Sequence, residues 1–144
     1  MKTRRLGKTN LQVSEIGFGG EWLERHPENR SQWFIQGHIG STWKDEQYFR
    51  TRDMRYVRPA FEDLLKRLQT DYIDLGMIHY VDSEEEWEQI QHSDYLDYVM
   101  ELKNSGIIHH IGMSSHNPKV AMKAAESGFV EMILFSINPA FDML

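Results

Sequence analysis

Residues 64–82, LLKRLQTDYIDLGMIHYVD, constrain the fold more than any other part of the chain, because they join a helix end, a tight turn and a buried strand. Leucines recur at helical spacing up to Leu68, and the polar pair at 70–71 then breaks the pattern. Residues 72–78 are mostly apolar and β-favouring, as expected for a strand that is covered on both faces. The stretch therefore predicts a helix that leads directly into a central strand of a parallel sheet.

A histidine, His79, stands where this predicted strand leaves the sheet. Parallel α/β sheets and barrels bind ligands and carry out chemistry at the carboxyl ends of their strands. An imidazole there, with an ordinary pKa near 6.5, can act as a general acid or donate a hydrogen bond to a carbonyl. A partly buried histidine with satisfied hydrogen bonds is the alternative, and the residue alone does not choose between the two.

Strands and helices alternate along the chain at about 30 residues per unit, which predicts a parallel sheet with right-handed crossovers. Short β-favouring runs around a turn at residues 7–10 predict an N-terminal hairpin over residues 3–14. The strands predicted besides the central one are residues 16–20, 33–39, 107–114 and 130–137. Helices are predicted from a cap at Thr51 to about Gln69, over 94–103 and over 120–126. The pattern gives a weak helical signal over residues 21–32 and predicts a loop over residues 40–48. It predicts an acidic loop or a first helical turn over residues 82–88.

Four predicted strand ends carry groups that suit chemistry, and a parallel sheet would place all of them on one edge. They are Gly19 and Gly20; His38; His79; and the run Ser114, Ser115, His116 and Asn117. The glycines either permit the close approach of a ligand or mark a plain turn. The serines and Asn117 suit hydrogen bonds to a ligand, but such residues before Pro118 also cap a helix, and the residues alone favour capping. Trp43 and Tyr48 either line a pocket or cover the core, and covering is favoured.

Composition argues against several classes of protein. A net charge of -6 and a pI near 5.6 argue against a nucleic-acid-binding surface, which is usually basic. The absence of cysteine excludes disulfides, thiolate metal sites and cysteine nucleophiles, and it fits a reducing compartment. No apolar run approaches the roughly 20 residues of a membrane span, and the first ten residues do not resemble a signal peptide. We therefore expect a soluble, cytoplasmic protein with no nucleic-acid or membrane partner.

A metal site finds little support in the sequence. His109, His110 and His116 are candidate ligands, but adjacent histidines on a strand point to opposite faces and form no bidentate pair. The carboxylates at residues 82–86 lack spaced partners. No Ser-His-Asp set, phosphate-binding P-loop or GxGxxG run is found, so nothing points to a hydrolase or a nucleotide kinase. We expect no bound metal.

Three segments, in order, resemble the aldo-keto reductase family: RRLGKTNLQVSEIGFGG, RPAFEDLLKRLQTDYIDLGMIHYVD and ELKNSGIIHHIGMSSHNP. The resemblance covers most of the chain. It implies a (β/α)8 TIM barrel whose lower end is plugged by the hairpin of residues 3–14, with the active site at the other end. It further implies that residues 1–144 are a single, incomplete α/β barrel domain. A helix, a strand and a helix expected between about Glu28 and Arg30 are missing, as are strands seven and eight beyond Leu144.

The resemblance also implies an activity, a cofactor and a site. Family members transfer hydride from NADPH to a carbonyl with the help of a tyrosine acid, an aspartate, a lysine and a histidine. His79 falls on the histidine that orients and polarises the carbonyl, and His38 stands in the place of the lysine. Ser114 falls on the serine, and Ser115 on the asparagine, that hold the nicotinamide carboxamide. A glutamine that also binds the carboxamide is replaced by Leu134, and the first strand meets the cofactor at Gly19, Gly20 and Glu21.

These assignments predict an NADPH-dependent oxidoreductase acting on a small carbonyl compound, although the tyrosine and the aspartate have no counterpart. Two segments, IQGHIGSTW and ILFSINPAFDML, resemble a subset of the family with a C-terminal iron-sulfur segment, for which this chain has no cysteine. A binding or assembly module without turnover is the alternative, with homo-oligomers formed through the open sheet edges of an incomplete barrel. A flavodoxin-like sheet that binds a phosphorylated ligand is a third hypothesis, opposed by the N-terminal hairpin.

Overall fold

The computed structural model describes residues 1–137, apart from the side chains of Glu21 and Trp22. Predictions for residues 138–144, including the end of the ILFSINPAFDML segment, lie outside the described residues. In chain order the strands are β1 (Thr3–Arg5), β2 (Gln12–Ser14), β3 (Gln36–Ile39), β4 (Ser41–Lys44), β5 (Gln47–Arg50), β6 (Ile73–Ile78), β7 (Ile108–Ser115) and β8 (Met132–Phe135). The helices are α1 (Met54–Leu68), α2 (Glu84–Gln91), α3 (Asp94–Asn104) and α4 (Pro118–Glu126), and two 3₁₀ helices span Gly20–Arg25 and Pro27–Gln32.

A four-stranded parallel sheet, in the order β3-β6-β7-β8, forms the centre of the molecule. Each crossover between neighbouring strands contains helix, as right-handed βαβ units require. The six residues of β6 are all buried, because helices cover one face of the sheet and the N-terminal hairpin packs on the other. The predicted parallel α/β architecture is therefore confirmed.

The N-terminal hairpin closes one end of this sheet. β1 and β2 pair antiparallel, with Thr3 opposite Ser14, as predicted. Leu6 packs against Leu75, Met77 and Met132 on the face that the helices leave open. The N–H of Lys8 donates to the carbonyl of Glu131, just before β8, at 2.8 Å. The hairpin thus lies at the amino-terminal end of the parallel strands, opposite His79.

The prediction of a strand over residues 16–20 is wrong. These residues form no strand, and Ile16 and Phe18 expose 59% and 71% of their surface. A strand needs a neighbour for its backbone hydrogen bonds, and the outer strand β3 pairs only with β6 within the described residues. The described sheet consequently has four parallel strands where five were predicted. The weak helical signal of residues 21–32 corresponds to the two 3₁₀ helices.

Two predicted connections contain regular structure. The predicted loop at residues 40–48 is wrong, because β4 and β5 form a hairpin there around Asp45 and Glu46, both at positive φ. Positive φ at two central residues is typical of tight hairpin turns, although asparagine and glycine are the usual signals. Residues 82–88 lead into α2, which Ser83 caps. The cap of α1 is Asp53 instead of Thr51.

Arg30, in the second 3₁₀ helix, links this helix to the start of β6 through hydrogen bonds and an ion pair. Its guanidinium donates to the carbonyl of Tyr72 and to the carboxylate of Asp74, each at 3.1 Å. Asp74 also accepts the backbone N–H of Ile35 at 2.8 Å. Both charged side chains are about nine-tenths buried. This ion pair joins the short connection before β3 to the neighbouring strand.

Candidate functional site

The carboxyl-terminal ends of β3, β6, β7 and β8, here called the rim, bring several predicted site residues together. His79 follows β6 directly, and the chain then turns at Tyr80, which has a φ of 57°. Arg52 donates to the carbonyl of His79 at 2.5 Å, and Arg50 donates to the carbonyl of Tyr80 at 2.8 Å. These hydrogen bonds hold the backbone turn that presents the imidazole at the rim.

The imidazole of His79 has a partner at each nitrogen and one on its face. Its Nε2 lies 2.5 Å from the hydroxyl of Tyr48, which the β4–β5 hairpin carries over the rim. Its Nδ1 lies 3.3 Å from Oγ of Ser114, and this oxygen also accepts the N–H of Tyr80 at 2.7 Å. The ring of His38 stacks on His79 with 3.9 Å between centroids. The predicted meeting of His38, His79 and Ser114 at one edge is observed.

Electrostatics at the rim keep both imidazoles neutral. Burial, and then the neighbouring His38, Arg52 and Arg50, lower the pKa of His79 from 6.5 to about 4. Burial also lowers the pKa of His38. A neutral imidazole has one N–H donor and one acceptor, which matches the two side-chain partners of His79. At pH 7 the site thus offers a hydrogen-bonding imidazole instead of a cation.

The two serines at the end of β7 point to opposite faces of the sheet, as adjacent strand residues do. Ser114 pairs in register with Leu134 and faces His79. Ser115 is 1% exposed, and its hydroxyl lies 3.3 Å from Oδ1 of Asp82 and 3.2 Å from the carbonyl of Asn117. The predicted capping is confirmed for Asn117, whose side chain accepts the N–H of Lys119 at the start of α4. Ser114 has no such capping role and belongs to the rim.

Gly19 and Gly20, predicted at a strand end, do not follow a strand of the parallel sheet. Gly19 precedes the first 3₁₀ helix and Gly20 is its first residue, and a Cβ built on Gly19 would have no atom within 4 Å. A Cβ on Gly20 would meet only Leu23, at 3.9 Å. The expectation that this segment adds a fourth strand end at the rim is wrong, since it forms no strand. The cofactor-binding roles of Gly19, Gly20 and Glu21 stay predictions.

Tyr48 and Arg52 are the rim residues that sequence reasoning missed. The sequence favours Trp43 and Tyr48 as cover for the core, but they are 72% and 52% exposed and pair with each other across the β4–β5 hairpin. The β-favouring residues on both sides of Asp45 and Glu46 are the signal that could have identified this hairpin.

One groove lies away from the rim. This groove of about 670 Å³ is at the amino-terminal end of β6, beside Arg30, Thr70 and Tyr72. Within residues 1–137, no three histidine, aspartate or glutamate side chains are placed to hold a metal ion. The side chains of His109 and His110 diverge, one stacking on Tyr72 and the other contacting Glu131. In that same range, every helix is too short or too polar to cross a bilayer.

Comparison with known families agrees with the fold. The model of the aldo/keto reductase family matches residues 14–141. The chain belongs to the aldo/keto reductase family. It is 28% identical over 178 aligned residues to the uncharacterized oxidoreductase YqkF of Bacillus subtilis, covering 96% of this chain and 56% of YqkF. It is 34% identical over 86 residues to the aldo-keto reductase YhdN of the same organism, covering 60% of this chain and 24% of YhdN.

Solved structures show the same fold. An aldo-keto reductase from Bacillus halodurans, determined in a holo form, has a TM-score of 0.72 at 23% identity, covering 95% of this chain and 58% of the other. A glycerol dehydrogenase from Gluconobacter oxydans has a TM-score of 0.60 at 22% identity, covering 83% and 38%. The parallel sheet, its helices and the N-terminal hairpin thus form part of a (β/α)8 barrel. This chain spans about half or less of the curated relatives named above.

Proposed function

We propose that this chain carries the carbonyl-binding part of an NADPH-dependent oxidoreductase that reduces a small aldehyde or ketone. The observation that carries the proposal is the neutral imidazole of His79 at the rim, fixed by Ser114 and stacked by His38. A neutral N–H that is held in place can orient and polarise a carbonyl without being consumed as a proton source. Membership in the aldo/keto reductase family supports the same reaction class.

The rim has one side chain that fits the carboxamide of a nicotinamide ring. When bound, NADP(H) supplies or accepts hydride. Ser114 accepts one N–H and contacts His79, and a hydroxyl with two lone pairs and one proton has capacity for one further hydrogen bond. Ser115 is engaged with Asp82 and Asn117, so we assign the contact to Ser114 first. The holo form of the Bacillus halodurans relative supports cofactor binding, while NADPH preference and cytoplasmic location stay predictions.

The test follows the absorbance band of NADPH during incubation of the protein with a panel of aldehydes, ketones and quinones. We expect oxidation with at least one small carbonyl compound, and at least about a tenfold lower rate in His79→Gln, because the variant cannot present an imidazole N–H. His92→Gln is the matched control, since His92 is exposed at the end of α2. No oxidation with any member of the panel would overturn the proposal.

The alternative function is an assembly module without turnover. Within residues 1–137, the outer strands β3 and β8 each pair on one side only. Apolar side chains are exposed before β3 and on β8, namely Phe34 at 50% and Leu134 at 45%. Unpaired strand edges promote association between chains. This function predicts a stable homo-oligomer by light scattering together with no saturable NADPH binding, whereas a monomer that binds NADPH would exclude it.

A further inference from the structure

We infer that Tyr48 is the proton donor for the carbonyl oxygen, in a chain where the tyrosine of the family has no counterpart. The inference rests on the proposed function and identifies the acid that this reaction needs. Tyr48 Oη lies 2.5 Å from Nε2 of His79, so any oxygen that this nitrogen can reach is close to the Tyr48 hydroxyl as well. The β4–β5 hairpin therefore contributes a catalytic residue, in addition to covering the rim.

The other groups near His79 are poor acids. With a pKa of about 4, His79 is an imidazolium in about one molecule in a thousand at pH 7, and burial likewise keeps His38 neutral. His116 is held by Asp82, with 3.1 Å between Nδ1 and Oδ2, and its ring packs against Tyr80. Arg50 and Arg52 donate to the backbone carbonyls of Tyr80 and His79. Two phenols contact His79: Tyr80 meets the edge or face of its ring with 6.0 Å between centroids, whereas Tyr48 is hydrogen-bonded to its Nε2, so Tyr48 is the phenol placed beside a bound carbonyl oxygen.

The hydrogen-bond network supports one tautomer of His79. Because Ser114 Oγ accepts the N–H of Tyr80, its own proton is free to point at Nδ1 of His79. The ring proton is then on Nε2, which donates to Oη of Tyr48 and leaves the phenolic proton free for a ligand. A carbonyl oxygen that enters beside Tyr48 can accept the hydrogen bond from Oη–H, while Nε2–H of His79 continues to donate to Oη. The donation from Nε2–H stabilises the negative charge that develops on Oη as the phenol gives up its proton.

The reaction step balances with this arrangement. NADPH, when bound, would supply hydride to the carbonyl carbon, and the π electron pair would move to the oxygen. The O–H bond of Tyr48 breaks as its proton moves to that oxygen, so the products are an alcohol, NADP⁺ and a phenolate. His79 keeps its Nε2 proton and stabilises the phenolate by donating to it. Because Tyr48 is 52% exposed, water can return the proton after each turnover.

Local structure explains why Tyr48 reaches the rim. Tyr48 pairs directly with Trp43 across the hairpin, and their rings meet edge to face with 6.2 Å between centroids. Two residues later, Arg50 anchors the strand by donating to the carbonyl of Tyr80 and stacking over its ring. These contacts hold β5 against the turn that follows β6, and thus hold Tyr48 above His79.

The test compares wild type, Tyr48→Phe and Tyr72→Phe. Tyr72 is the matched control, because its ring stacks on His109 at the opposite end of β6. We expect Tyr48→Phe to lower kcat by about 100-fold or more, with NADPH affinity unchanged. Tyr72→Phe should keep wild-type kinetics. Independently of activity, ¹⁵N NMR of labelled histidine should show Nε2 of His79 protonated, with a resonance that moves in Tyr48→Phe alone.

Each other outcome overturns the inference. If the His79 Nε2 resonance is the same in wild type and Tyr48→Phe, the hydrogen bond does not exist. If the resonance moves but Tyr48→Phe turns over like wild type, Tyr48 is not the acid. If wild type itself reduces no carbonyl, the proposed function fails and the proton-donor role fails with it, while the NMR result still reports whether the Tyr48–His79 pair forms.

Discussion

The Arg30–Asp74 ion pair provides a stability prediction that can be worked from the structure. We expect Asp74→Asn to destabilise the protein, because the variant leaves a buried guanidinium without its carboxylate. The side-chain oxygen of the introduced asparagine can still accept the N–H of Ile35, which Asp74 accepts at 2.8 Å. The same oxygen of Asp74 also accepts from the Arg30 guanidinium at 3.1 Å, so the variant keeps an acceptor there and loses the negative charge that pairs with Arg30. The substitution therefore removes the charge and retains the shape.

The magnitude follows from burial and from the contacts that remain. Removing one partner of a buried ion pair typically costs about 3–5 kcal/mol. Both side chains are about nine-tenths buried, which places this pair in that class. Arg30 retains three oxygen acceptors, and these lower the expected loss to about 2–3 kcal/mol. The acceptors are the carbonyls of Trp33 and Tyr72 and the hydroxyl of Thr70.

Urea denaturation followed by circular dichroism measures this loss as a lower midpoint at an unchanged m-value. Asp71→Asn is the control, because Asp71 is exposed three residues earlier and the same chemical change there should have little effect. If the free energy of unfolding of Asp74→Asn lies within about 0.5 kcal/mol of the wild-type value, the Arg30–Asp74 ion pair does not stabilise the short connection before β3.

Two further predictions concern the rim and its support. By NMR, we expect His79 to titrate near pH 4 in the folded protein, below the ordinary pKa of 6.5. Between pH 4 and pH 6.5 the unfolded chain therefore binds a proton on His79 that the folded protein does not bind. The free energy of unfolding should consequently decrease as the pH falls from 6.5 to 4, and this pH dependence should be weaker in His79→Gln. Titration of His79 near pH 6.5 would contradict the burial of its ring. Tyr95→Phe should cost about 1 kcal/mol in urea denaturation, since the buried hydroxyl donates to the carbonyl of Ile39 at 2.7 Å. Tyr56→Phe is the control, at a half-buried ring that packs edge to face on Phe49, and equal stability of the two variants would refute the assignment.

The sequence predicted secondary structure correctly where the local residue pattern and the burial of the residues agree. The leucine spacing before Gln69 and the apolar run of β6 predicted the helix, the central strand and the position of His79, because a fully buried strand needs apolar residues throughout. Asn117 before Pro118 marked the start of α4 for a similarly local reason. The family resemblance then identified Ser114 and His38 as neighbours of His79, and the structure places them there.

Sequence reasoning failed where structure depends on distant partners. Residues 16–20 have the composition of a strand, but a strand forms only where a neighbouring strand offers hydrogen bonds. The β4–β5 hairpin turns on Asp45 and Glu46, which are unusual residues for positive φ, so the position of Tyr48 could not be read locally. The alignment to YqkF runs over 178 residues, more than the 144 of this chain, so that relative contains residues without counterpart here. Arg30, which pairs with Asp74, lies where a missing unit was predicted.

The most direct measurement of the central claim is the transfer of deuterium from NADPH deuterated at both C4 positions to an aldehyde. Mass spectrometry of the alcohol would detect it. If the rim around His79 is a carbonyl-reducing site, the wild-type product carries one deuterium on the former carbonyl carbon, and His79→Gln forms at least about tenfold less of it. Alcohol without deuterium, no alcohol at all, or equal yield from His79→Gln would contradict the account.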